Sequence, residues 1–164
     1  AGIDVCLMSK GDSIEINAAS GLRNTAKEET DGVMCLYPGT ADTASDRNDM
    51  CLVLKFTDGA FSGIFGGDIP SEVEKELVAE YGKELSVDFY KANHHGSKYS
   101  GSKEWIEALS PRWAAVSCAV ENRYGHPADE AMERLIDAKC RVFYTMQSGQ
   151  IKYKESAIYE NNRQ

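Results

Sequence analysis

The chain changes its hydrophobic pattern once, near Gly66, and that switch constrains its fold more than any other feature. Beyond it, strand-like and helix-like segments alternate. Residues 70–81 are acidic and amphipathic, with Pro70 at a helix start and Gly82 just past its end. A strand near 87–92, a helix near 102–109, a strand near 114–118, a helix near 128–138 and a strand near 141–145 follow, with a last hairpin through Ser148-Gly149. Strands joined through helices lie parallel with right-handed crossovers. Their C-terminal ends then share one edge of the sheet, the edge at which open α/β sheets bind ligands.

Before the switch, through residue 67, the pattern is that of β structure. Strands are expected at 5–9, 13–17 and 33–37, then a hairpin over 50–65 turning at Asp58-Gly59. The polar segments 18–32 and 38–49 have the composition of loops. No internal repeat, low-complexity tract or linker divides the chain. One α/β domain over residues 1–164 is expected, β-rich over 1–67 and alternating over 68–154.

A length of 164 residues with 42% hydrophobic residues suffices to bury one core. A formal charge of −8 argues against a surface built to hold nucleic acid by its phosphates, which needs clustered Lys and Arg. Nucleic acid as substrate would have to be held by metal ions or a partner. No apolar run approaches the ~20 residues that span a bilayer, and the first residues lack a signal-peptide pattern. The sequence is expected to be soluble as given, with further segments upstream. The five cysteines, Cys6, Cys35, Cys51, Cys118 and Cys140, are widely spaced without CxxC, and most sit among apolar residues, as buried free thiols do.

Three histidines serve the whole chain, and all fall after predicted strands. His94 and His95 lie in NHHGSKYS, His126 in ENRYGHP, and Asp68 in IFGGDIP. All four are therefore expected at the same sheet edge. Imidazole and carboxylate are ligands for zinc or manganese, and a carboxylate can bridge two ions. Such ions lower the pKa of a water and neutralise the oxygens of a phosphoester under attack. Each residue also has a plainer role open to it. Asp68 could cap the helix that follows, His126 could be an ordinary loop residue before Pro127, and the His94-His95 pair could belong to a surface loop. Ser97 lies in no GxSxG elbow, so a supporting or substrate hydrogen-bonding role suits it better than nucleophilic attack. The FGGD stretch matches neither phosphate-loop motif, and close backbone packing beside Asp68 accounts for its glycines. Trp105 and Trp113 occupy core-like positions.

The series RNDMCLVLKF, FGGDI, ANHHGSKYSGSKEWIEALSP and ENRYGHP, over residues 48–153, resembles the metallo-β-lactamase-fold domain of ComEC/Rec2-type competence proteins. Secreted phosphorylcholine esterases and other hydrolases are similar. The resemblance implies the C-terminal portion of an αββα sandwich with a two-metal site, zinc or manganese, at one edge. It places Asp68 as the bridging aspartate and His126 as the last histidine ligand. His94 and His95 match a pair in which one residue binds metal and the other holds the scissile phosphate, giving Asp68, His94 and His126 as metal ligands and His94 and His95 as catalytic residues. It also implies an extracytoplasmic or membrane-attached setting.

The family supplies most of its ligands from an earlier HxHxDH or HxDxDH motif, and here no histidine precedes His94. The expectation is one part of a metal-dependent hydrolase of phosphoesters, with DNA a candidate substrate, whose other ligands come from a missing first half of the domain or from a partner chain. Asp68, His94 and His126 could hold one ion with an open position, so metal binding by these residues alone should be weak or absent. The alternative is a non-catalytic binding or scaffold module that kept the fold and lost the metals.

Overall fold

The computed structural model describes residues 7–17, 21–24, 31–39, 48–154 and 157–161. Among the described residues, eight strands form one mixed sheet in the order β2-β1-β3-β4-β5-β6-β7-β8. Its first half is antiparallel: β1 (Ser13–Asn17), β2 (Gly21–Asn24), β3 (Gly32–Tyr37), β4 (Val53–Asp58) and β5 (Phe61–Phe65). Its second half, β5 with β6 (Phe89–Lys91), β7 (Trp113–Val116) and β8 (Arg141–Tyr144), is parallel, as the alternating pattern predicts. The hairpin β4–β5 turns through Gly59, whose φ of 58° suits a residue without Cβ.

Helices occupy the crossovers. α1 (Ser71–Tyr81) follows Pro70 and ends on Gly82 at φ 50°. α2 (Lys103–Leu109) starts at Ser102, whose Oγ accepts the Trp105 N–H at 3.3 Å. α3 (Asp129–Asp137) carries Asp129 and Glu130 in its first turn, where carboxylates favour the helix dipole. Because β5 to β8 are added in one direction, right-handed crossovers place every helix on the same face. Val73 and Leu77 of α1, Trp105 and Ile106 of α2 and Leu135 of α3 accordingly share one core with Ile64, Tyr90 and Ala114 of the strands.

The opposite face is aromatic. Phe56 lies within 5.7 Å of Phe61 and 5.6 Å of Phe65, and Phe61 within 6.2 Å of Trp113, between ring centroids. A separate two-stranded ribbon, β9 (Gln150–Lys154) with β10 (Ala157–Asn161), reaches it, and Tyr153 stacks on Phe61 at 3.6 Å. The fold is thus mixed α/β, with the helices packed on one side of the sheet.

Three sequence expectations change. Residues 7–9 of the expected first strand are not strand, and its other residues lie outside those described. The segment expected to be a loop before β3 contains β2, an edge strand pairing Asn24 with Ile14 and Gly21 with Asn17; backbone pairing builds it, without the apolar alternation that would mark it. Ser148-Gly149 is no hairpin turn. Thr145–Ser148 makes one helical turn, α4, closed by Gly149 at φ 71°, and the ribbon begins after it.

Candidate functional site

The loops after β5, β6 and β7 meet at the C-terminal edge of the parallel strands, bringing Asp68, His94, His95 and His126 together there. Asp68 does not cap α1: the cap position is Pro70 and no side chain caps the helix. Its carboxylate, about a third exposed, has Oδ1 3.7 Å from His95 Nε2. His95 Nδ1 lies 2.7 Å from the Ser117 carbonyl, which only accepts, so Nδ1 carries a hydrogen and Nε2 is the atom turned toward Asp68. His94 packs edge-on against His126, with centroids 5.6 Å apart and planes at 72°. Of the expected trio, His94 and His126 are in direct contact, and Asp68 contacts His95 while its charge also acts on His126.

The local backbone explains the glycines. His94 N–H donates to the Gly67 carbonyl at 2.9 Å, stitching the two loops together. A Cβ on Gly66 would fall 2.5 Å from Asn93 Oδ1, and one on Gly67, at φ 59°, 2.9 Å from the Cys51 Cβ. Close packing beside Asp68 is thus the role of FGGD. Ser97 is buried, and its Oγ accepts the Tyr99 N–H at 3.3 Å.

His126 is held through its backbone. Asn122 accepts the His126 N–H at 2.9 Å and donates to its carbonyl at 2.7 Å. Tyr124 stacks on the ring at 5.8 Å, and Nδ1 is buried with no hydrogen-bond partner among the described residues. Burial, then repulsion from His94 and His95, pushes the His126 pKa down, with Asp68 opposing. Lys91, at the end of β6, donates from Nζ to the Ala92 carbonyl at 2.8 Å. Burial lowers its pKa, while the charge of Asp68 acts to raise it. Beside His126 opens a groove of about 390 Å³, lined by Lys98, Tyr99 and Tyr124 but also by Asp129 and Glu130.

The donor chemistry suits zinc or manganese, and the buried His126 Nδ1 has no hydrogen-bond partner among the described residues. Yet among the described residues no three His, Cys, Asp or Glu side chains lie close enough to hold an ion.

Sequence reasoning passed over Glu74, Asn93, Asn122 and Lys91. Glu74 alone left a readable signal: it sits between Val73 and Leu77 on the buried side of α1, where a charge has to be paired.

No protein-family model matches the chain. It is 37% identical to ComE operon protein 3 of Bacillus subtilis (strain 168) over 119 residues, 73% of this chain and 15% of that protein. It is 29% identical to competence protein ComA of Neisseria gonorrhoeae over 137 residues, 81% of this chain and 20% of that protein. An uncharacterized protein of Escherichia coli (strain K12), YcaI, is 26% identical over 98 residues, 60% of this chain and 13% of that protein. The chain spans a fifth or less of the length of these relatives. It is, by these matches, a homologue of competence proteins, corresponding to one segment of them.

Proposed function

We propose that the chain works in competence as one part of a metal-dependent hydrolase of phosphoesters, with DNA as substrate. Asp68, His94, His95 and His126 form its share of the site, and the donors that complete a metal centre come from outside these 164 residues, in a longer polypeptide or a partner chain. The observation that carries this reading is the meeting of all three histidines with Asp68 at one sheet edge, with Asp68 free of a capping role and the His126 Nδ1 without a partner among the described residues. His95, held by Ser117, would present Nε2 either as a lone pair or, once protonated, as a donor to a phosphate oxygen.

The test is a chimera in which a segment bearing the HxHxDH motif precedes the 164 residues, assayed on a generic phosphodiester with zinc and manganese. Metal-dependent turnover is expected, falling at least about 100-fold in Asp68→Ala or His126→Ala. Turnover indifferent to both substitutions would refute the reading. One observation favours a second reading, a scaffold module that kept the fold and lost the metals: the direct contacts in the site pair Asp68 with His95 and His94 with His126. A folded chimera inactive with either metal would support it.

A further inference from the structure

The His94–His95 backbone is strained. Both residues adopt left-handed conformations, φ 47° and 57°, followed by Gly96 at 80°. Consecutive non-glycine residues in this region persist only where the surroundings hold them. Two charged side chains, one from α1 and one from α3, hold the segment that contains them, and neither is among the candidate site residues.

Glu74 on α1 is 0% exposed and has no ion-pair partner among the described residues. Its carboxylate instead accepts Asn93 Nδ2 at 2.8 Å, Gly101 N–H at 2.6 Å and Ser102 N–H at 2.7 Å. It thus grips the residue before the histidines and the two that lead into α2. Arg134 on α3 donates through Nε to the Gly101 carbonyl at 2.7 Å and through Nη2 to those of Ser100 at 2.9 Å and Lys98 at 3.3 Å. Between them, Ser100 Oγ donates to the Ile69 carbonyl at 2.8 Å, and Tyr90 OH accepts the Asn93 N–H at 2.9 Å. The anion takes the Asn93 side-chain amide and the N–H groups of Gly101 and Ser102, so it bridges both ends of residues 93–102, while the cation takes the C=O groups of Lys98, Ser100 and Gly101 toward the C-terminal end.

We propose that Glu74 and Arg134 are positioning residues, a two-sided clamp that imposes the left-handed geometry of His94 and His95 and so aims both imidazoles at Asp68 and His126. The inference rests on reading this loop as part of the reactive site, but its test needs no metal and no turnover. Glu74→Gln keeps the shape and loses acceptor capacity, facing a donor NH₂ toward at least one of three donors. Arg134→Met, at a partly exposed site, removes the guanidinium without touching the core.

Imidazole ¹H–¹⁵N spectra and amide exchange are measured on both variants of the metal-free chain. Cooperative unfolding is expected to persist in Arg134→Met. In each folded variant the Nδ1–H tautomer of His95 is lost to a mixture, and the His94–His126 ring contact disappears. Exchange at His94 and Ser97 quickens about tenfold or more while Ala114 and Val116 keep their protection. A merely structural role would lower protection throughout and leave the tautomer unchanged. Should Glu74→Gln not fold, Arg134→Met decides. Wild-type imidazole spectra in a folded Arg134→Met, or a uniform loss of protection, would overturn the clamp whether or not the hydrolase reading stands.

Discussion

His126 shows how the neighbours of one side chain set its protonation. Desolvation and two nearby imidazoles disfavour the imidazolium, so its folded-state pKa lies below the ordinary value of 6.5. As pH falls, the unfolded chain takes up this proton first. The group's contribution to stability is constant above the unfolded pKa and declines as pH drops through 6.5 toward the depressed folded value. Chemical-shift titration should place the His126 midpoint below that of a free histidine, and Asp68→Asn should lower it further by removing the opposing charge; a midpoint raised by Asp68→Asn would contradict the arrangement. Cys140 offers a second check at this scale. Burial pushes its thiol up to about 12, so at pH 8 it should resist a thiol reagent in the native protein and react once denatured.

Among the elements, α1 and α2 show which parts of the fold are legible in sequence. Pro70, Gly82 and Ser102 mark helix ends because each has one local physical reason to be there: a fixed φ, a positive φ, and a hydroxyl for an orphan N–H. Ser102→Ala should cost about 1 kcal/mol in denaturant unfolding. The glycines of FGGD are also local signals, and their cause lies in other segments, Asn93 after β6 for Gly66 and Cys51 before β4 for Gly67. Gly66→Ala should displace Asn93, and with it one of the Glu74 contacts, costing about 1–3 kcal/mol as buried polar groups lose partners. The burial of Glu74 is readable, but what it binds is hidden for a different reason. In the run SEVEKELVAEY it is one glutamate of several, and its donors are 19 to 28 residues away. Edge strand β2 is illegible because backbone pairing to β1 defines it.

At the scale of the molecule, a sheet whose parallel strands are added in one direction acquires helices on one side only. The core beneath them centres on Trp105, Leu77, Ile64 and Tyr90. Leu77→Ala, at 1% exposure, should therefore cost about 2–5 kcal/mol, read as a lower denaturant midpoint with unchanged slope. The aromatic face opposite keeps Phe65 nearly half exposed. The same one-way order gathers the loops after β5, β6 and β7 at one edge, which is why the candidate site is readable from strand ends and histidine positions. The pairing inside it, Asp68 with His95 and His94 with His126, is not readable, since it depends on left-handed backbone at two adjacent residues.

That the four residues act as one site can be tested directly on the chain by titrating Mn²⁺ into the ¹⁵N-labelled protein and following paramagnetic broadening. The expected result, even for weak binding, is early and selective loss of signals from His94, His95, His126 and the amides flanking Asp68, abolished in the Asp68→Asn, His126→Ala double variant. Broadening that begins elsewhere, or that survives those substitutions unchanged, would contradict a shared metal-facing site at this edge.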